Sequence, residues 1–238
     1  MAKHSLNETI EIYSNDPYES ENKISISNYI EKCIAYSRDR SAYLELGIGH
    51  GIAIRRLSEA MRRVVAVEGA SELVEQYRGM YPNVEINHGY FEHFDTDETF
   101  AQIGMGFVLE HVDDPVVILQ RYRKFLATDG SIFVNVPNAA SLHRLLAINA
   151  GLLDRLDRMS ETDRRHGHQR FLRFDEWKAL FEGQGFTIAR AEGLYLKPFT
   201  TQQIERAGLP TEVYRALAEV AASYPDISNS CFFELRAG

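Results

Sequence analysis

Leu44-Glu45-Leu46-Gly47-Ile48-Gly49-His50-Gly51 is the stretch on which the reading of this chain turns. Ala42 to Leu46 has the composition of a short strand, and Gly47 to Gly51 that of a turn. Ile52 to Met61, with Ile54, Leu57 and Met61 on one side, has the spacing of a helix. A glycine-rich turn between strand and helix lets a ligand approach the backbone closely, and the start of the helix offers free N–H groups. Arg63 to Val67 is a second, valine-rich strand. It ends at Glu68, 17 residues after Gly51. An acid at that place can accept hydrogen bonds from both hydroxyls of a ribose, at a spacing near the roughly 20 residues seen in nucleoside recognition.

The glycines alone do not choose the nucleoside. NAD, FAD and S-adenosylmethionine proteins share a G-x-G turn, but the dinucleotide version has the form G-x-G-x-x-G. The spacing Gly47, Gly49, Gly51 departs from it. Glu45, just ahead of the turn, would repel a pyrophosphate and suits the ammonium of a methionine moiety. An NAD-dependent oxidoreductase is therefore disfavoured, and a nucleoside-binding protein without catalysis stays open.

Outward from this core, strands and helices alternate. Residues 1–22 form a polar arm that carries Tyr13 and Tyr18, either able to fold over a ligand. Ile24 to Tyr36 has helical spacing. Ser71 is a candidate cap for a helix through Gly79, stopped by Pro82. Val84 to Asn87 is a third strand. Phe100 to Phe107 is a fourth, interrupted by Gly104 and Gly106, a mark of close approach by a ligand or backbone. Asp114-Pro115 opens the next helix, and Thr128-Asp129-Gly130 turns into a fifth strand, Ser131 to Val136. Such alternation predicts a mostly parallel sheet with helices on both faces. Residues 139–170 break the rhythm. They are helical in character and end in Arg164-Arg165-His166-Gly167-His168, which reads as an insertion over the carboxyl edge of the sheet. The remainder holds a helix (Asp175 to Gln184), a strand (Phe186 to Glu192), a helix (Glu212 to Ser223) and a closing strand (Cys231 to Leu235). The expected organisation is an arm (1–22), a cofactor-binding half (23–138), a helical insertion or lid (139–170) and a part that completes a seven-stranded sheet (171–238).

Composition narrows the function. The chain has 238 residues, 45% of them hydrophobic, and a net charge of −8, enough for one sizeable core and a poor match to a phosphate backbone. Nucleic acid is not an expected partner. Cys33 and Cys231 are far apart and lack metal-ligand spacing, so no zinc site or disulfide scaffold is expected, and a cytoplasmic location is. No apolar run approaches the roughly 20 residues that span a bilayer, and the polar N-terminus does not have the form of a signal peptide.

The quoted stretch also resembles the first motif of class I S-adenosylmethionine-dependent methyltransferases. Val65-Ala66-Val67-Glu68-Gly69-Ala70 resembles their second motif, and Val108-Leu109-Glu110-His111-Val112-Asp113-Asp114-Pro115 the phrase after strand four. Gly130 to Asn138 is similar to strand five. The resemblance implies a Rossmann-like sheet, S-adenosylmethionine as cofactor and S-adenosylhomocysteine as product. It implies that Gly47, Gly49, His50 and Gly51 pass under the methionine part, with Glu45 near its amino group. Glu68 would hold the ribose, Gly69 and Ala70 would pack by the adenine, and Tyr90 and Phe91 would wrap its other side. Leu109, Glu110 and His111 would line the reactive sulfonium. Two departures stand out. Tyr90 takes a place where the family often has an acid, and Phe100-Ala101 one where it often has Phe-Asp.

Methyl transfer from a sulfonium is an in-line displacement that needs alignment, and a hydroxyl or amine acceptor must also lose a proton. The candidate bases are His111, His143, His166 and His168. Arg165 or Arg170 could bind an anionic acceptor, and Tyr195 to Phe199 offers further lining. No metal-ligand set is visible in the spacing. Val136-Pro137-Asn138 stands where an Asn/Asp-Pro-Pro-Tyr motif would point to nitrogen in nucleic acid or protein. A small-molecule acceptor, methylated on oxygen or nitrogen, is the expected substrate: a sugar, a secondary metabolite or similar. Monomer and homodimer are both open.

Overall fold

The computed structural model describes residues 19–238, with side chains from Lys23 onward except that of Thr162. Tyr13 and Tyr18 lie outside the described residues. The first described helix, α1, is Glu19–Tyr36, five residues longer at its start than the apolar spacing indicated. It is followed by β1 (Tyr43–Leu46), α2 (Ile52–Ala60), β2 (Val64–Glu68), α3 (Ser71–Tyr77), β3 (Val84–His88), β4 (Phe100–Gly106), α4 (Pro115–Arg123) and β5 (Leu126–Pro137). Then come α5 (Leu142–Asn149), α6 (Glu161–Arg165), α7 (Phe174–Gly183), β6 (Phe186–Gly193), α8 (Thr201–Ala207), α9 (Thr211–Ala221) and β7 (Ser230–Ala237).

The seven strands form one sheet in the order β3-β2-β1-β4-β5-β7-β6. All neighbours are parallel except β7, which runs antiparallel to both β5 and β6. The order reverses between β1 and β4. At such a switch point the two loops leave in opposite directions and open a crevice at the carboxyl edge. The central strands are buried on both faces, as parallel strands flanked by helices must be. Leu44, Leu46, Val65, Val67, Ile103 and Val134 pack against α4 and α7 through Ile118, Tyr122, Trp177 and Phe181. Tyr43, Val64, Ala66 and Phe133 pack on the other face against α1 and α2, through Tyr29, Cys33, Ile54 and Leu57.

Gly104 and Gly106 belong to this second face, and the structure shows why they are glycines. A Cβ on Gly104 would overlap the Glu45 carboxylate and lie 2.6 Å from Tyr43 Oη. A Cβ on Gly106 would lie 2.5 Å from a ring carbon of Tyr29. The close approach is therefore made by α1 and by a β1 side chain. The space is filled and does not widen a pocket.

Several local expectations need correction. Ala70, not Ser71, is the N-cap of α3, and no side chain caps it. The turn expected at 128–130 is a bulge inside β5. The step from Phe100 to Gln102 is matched by that from Leu126 to Ser131, with Asp129 at φ 63. The insertion is not continuously helical. Gly151, at φ 71, follows the end of α5, and the chain stays irregular until α6. Buried Arg144 ties this loop back by donating to the carbonyls of Leu156 and Arg158. Helix α8 adds to the elements expected for this part of the chain, and Thr200 and Gln203 form its capping box, a pattern visible in sequence. Among the described residues, no helix is long and apolar enough to cross a membrane.

Two expectations follow from this packing. Gly104→Ala should lower stability by about 1–3 kcal/mol, the cost of overpacking a filled core, read as the urea midpoint. An unchanged midpoint would show that α1 is not seated as described. His143, in the first turn of α5, is pushed down to about 3, first by burial and then by Lys197 and Arg144. Its folded value lies below the ordinary 6.5, so the stability it confers is present above 6.5 and lost as pH falls toward 3. Urea unfolding of the wild type should therefore weaken relative to His143→Gln over that window. Parallel curves would remove the buried-neutral assignment.

Candidate active site

The crevice is built from the glycine turn outward. Gly47, Gly49 and Gly51 all have positive φ, at 84, 51 and 71°. The Gly47 N–H donates to the Val67 carbonyl at 2.8 Å, so the turn starts as a continuation of the sheet. Glu68, at the end of β2, is buried. Its Oε2 accepts from the Ile48 N–H and its Oε1 from the Ala70 N–H, each at 2.8 Å. One carboxylate thus joins the loop after β1 to the loop after β2. Each oxygen retains a lone pair for a ligand hydroxyl.

Gly51 is needed for more than its φ, because a Cβ there would overlap the Tyr77 ring. The Tyr77 hydroxyl donates to the His50 carbonyl at 3.5 Å. Phe91 faces the turn from the far side, its ring tip 3.9 Å from where a Cβ of Gly47 would stand. Tyr90 is 58% exposed and packs edge-on against His93. Both line an open surface pocket of about 320 Å³ with Glu92, Asp113, Asp114 and Val117.

Glu45 is 2% exposed, and its Oε2 has no hydrogen-bond partner among the described residues. Burial pushes its carboxyl well above the usual range. A carboxyl held unpaired in the core two residues ahead of the glycine turn fits a site that receives a cation. The turn, the remaining lone pairs of Glu68 and the carboxyl of Glu45 together fit S-adenosylmethionine.

The loop after β4 forms the adjoining wall, since β1 and β4 are paired neighbours. Phe107 turns the chain out of the strand at φ 56. The end of the insertion is laced onto this loop. The Gln169 N–H donates to the Glu110 carbonyl at 2.8 Å. Gln169 Nε2 donates to the His111 carbonyl at 2.8 Å and to Asp113 Oδ1 at 3.0 Å. Arg170 donates to the carbonyls of Leu109 at 2.5 Å and Asp113 at 2.9 Å. These contacts correct one expectation. Arg170 is a clamp on backbone carbonyls, and Arg165 is exposed, so neither forms a built anion site.

Lacing brings three of the four candidate histidines together. The His111 and His168 rings lie 4.8 Å apart, and His166 is 6.3 Å from His168. Burial pushes His111 down to about 3, with the charge of His168 and His166 adding to it; backbone contacts from Gly167 and His166 offset part of this. Burial also pushes His168 down to about 4, against the opposing pull of Asp163. Glu110 is fully buried and pushed up to about 8 by burial. One ligand-type atom from each of Glu110, His111 and His168 lies within 4.8 Å of the others. A possible metal-ligand set therefore exists where the sequence showed none, because His168 is 57 residues from His111. His143 stands apart from them, its Nδ1 3.2 Å from Ser141 Oγ and its N–H on the Lys197 carbonyl.

Asp163 was not singled out from the sequence. Ser160 and Asp163 cap each other at the start of α6, a Ser-x-x-Asp signal that marks the helix. This cap sets Asp163 Oδ1 3.8 Å from His168 Nδ1. Asn138 is a structural hub. It donates to the carbonyls of Asp226 and Ser228 and accepts from the N–H groups of Ala140 and Phe174. Tyr195 to Lys197 is buried and Phe199 exposed, as plain packing requires.

Comparison with known proteins agrees with this geometry. A family model described as a methyltransferase domain matches residues 18–191. The ubiquinone biosynthesis O-methyltransferase of Colwellia psychrerythraea is 25% identical over 163 residues, covering 66% of this chain and 65% of the relative. The mitochondrial ubiquinone biosynthesis O-methyltransferase of Schizosaccharomyces pombe is 26% identical over 166 residues, covering 67% and 60%. The chain thus spans just under two thirds of the length of these curated relatives. Among solved structures, the complex of DhpI with SAH superposes with a TM-score of 0.61 at 16% identity, covering 100% of this chain and 99% of that one. The family match speaks against the reading as an NAD-dependent oxidoreductase. Carrying the motifs, the sheet order and a family model matched over most of its length, the chain belongs to the methyltransferase-domain family and has the class I S-adenosylmethionine-dependent methyltransferase fold.

Proposed function

We propose that the chain methylates an oxygen of a small molecule held at the carboxyl edge between the loop after β4 and the inserted segment. The observation that carries this is the lacing of residues 166–170 onto Leu109 to Asp113. It holds the inserted segment against the loop after β4 and brings Glu110, His111 and His168 together. An edge bordered in this way suits a small acceptor over a macromolecule. Oxygen is favoured because both curated relatives are named O-methyltransferases.

When bound, S-adenosylmethionine supplies an electrophilic methyl on a sulfonium. The residues of the chain mainly have to hold and align. Glu68 accepts the ribose hydroxyls while its two backbone donors keep the carboxylate fixed. Glu45 meets the ammonium, which supplies the partner its buried Oε2 lacks. Gly47, Gly49, His50 and Gly51 present backbone to the methionine part. Gly69, Ala70 and Phe91 enclose the adenine. Tyr90, turned toward His93, contributes at the rim. Leu109, Glu110 and His111 wall the reacting end. On the acceptor side His111 and His168, whose basicity is depressed by burial, face the acceptor, and one of them takes the single hydrogen bond that its hydroxyl can donate. His166 borders them, and His143 with Lys197 lies farther along the same edge. The depressed basicity of the two imidazoles makes them positioning groups first and proton acceptors second.

Glu68→Ala should weaken S-adenosylhomocysteine binding more than tenfold, the loss of hydrogen bonds to a charged group worth about 1.5–3 kcal/mol. Unchanged affinity by calorimetry would sink the ribose assignment. His168→Ala should reduce turnover while leaving S-adenosylhomocysteine affinity nearly intact, and an equal fall in both would place it on the cofactor side. The reading as a whole is tested by offering methyl-labelled cofactor with a panel of phenols, catechols, carboxylic acids and sugars. Label in any of them supports it. Intact cofactor binding with label in none would overturn the small-molecule acceptor.

A further inference from the structure

The cluster of Glu110, His111 and His168 is unusual for where it lies. Val108, Leu109 and Val112 around Glu110 are buried and apolar. Neither oxygen of the fully buried Glu110 carboxyl has a hydrogen-bond partner from another described residue. A polar group buried in this way costs free energy unless something arrives to satisfy it. His111 Nε2 is 4.0 Å from Glu110 Oε1, and its Nδ1 lies toward the backbone of Gly167. His168 enters from the other side, with the Asp163 carboxylate behind it at 3.8 Å.

We propose that Glu110, His111 and His168 form a binding site for a divalent transition-metal ion. Three ligand atoms about 2.0–2.2 Å from a tetrahedral ion lie about 3.3–3.6 Å from one another. The separations here reach no more than 4.8 Å, so side chains that draw together by about an ångström close the set. Two imidazoles and one carboxylate suit zinc, manganese or ferrous iron, whereas magnesium and calcium favour oxygen ligands throughout. The surroundings carry the outer contacts such sites use. Asp163 stands behind His168, and the backbone at Gly167 stands behind His111. The clamps from Gln169 and Arg170 fix the loop that carries two of the three ligands.

Three protein ligands leave a coordination position open. Resting on the reading above, that position takes the acceptor hydroxyl, with the ion standing in place of the direct hydrogen bond to an imidazole when metal is bound. The ion favours the ionised hydroxyl, whose proton passes to water. The oxygen then forms its bond to the methyl carbon as the carbon–sulfur bond breaks, and the electron pair remains on sulfur. Metal binding itself does not depend on that reading.

The test uses the full chain, stripped with a chelator and titrated with Co²⁺, followed by visible absorption, and with Zn²⁺, followed by calorimetry. The expected result is saturation at one ion per chain, with affinity at least tenfold weaker in His168→Asn and in Glu110→Gln. Because Glu110→Gln alters the core, His168→Asn carries the decision, its fold checked by circular dichroism and by retained S-adenosylhomocysteine binding. Absence of saturable binding at one ion per chain, or equal affinity in folded His168→Asn, overturns the site. Saturable metal binding without methyl transfer to any acceptor leaves the site standing and counts against the proposed function instead.

Discussion

The carboxylate of Glu68 is the tie on which the crevice depends. It accepts one backbone N–H from the loop after β1 and one from the loop after β2. A glycine-rich turn with three left-handed residues has little conformational preference of its own. What gives it a single shape is the Val67 carbonyl at its start and the Glu68 carboxylate at Ile48. The group that shapes the turn is also the one proposed to hold the ribose, which would put site geometry and ligand recognition on one side chain.

Beneath this tie lies a second constraint, the seating of α1. Tyr29, Tyr43 and Glu45 occupy the room that the missing side chains of Gly104 and Gly106 leave. A short carboxyl can remain buried there because the helix covers it. Burial without a partner for Oε2 raises the cost of ionising that carboxyl. The glycines of β4 thus serve the site through the helix.

The acceptor side follows a different logic. Its residues come from segments far apart in the chain, and hydrogen bonds between an insertion and a loop join them. Arg170 illustrates the consequence. As a charged residue in a basic stretch it resembles a ligand group, yet both of its terminal nitrogens donate to main-chain carbonyls. Glu110 shows the reverse. Its motif marks a wall of the cofactor site, and the fold buries it beside two histidines.

The sequence by itself determined the alternating strands and helices, the glycine turn and the acid at the end of β2. Each is written in local periodicity, turn chemistry and short spacing, which act within a few residues. The Thr200–Gln203 and Ser160–Asp163 capping pairs were equally local, and were readable though unread. Only the tertiary structure decided which face Glu45 occupies, what fills the space over Gly104 and Gly106, and which histidines meet. Those outcomes depend on contacts between residues such as His111 and His168, 57 positions apart. No local pattern encodes such a meeting; it appears once the insertion has folded back and its backbone hydrogen bonds have been satisfied.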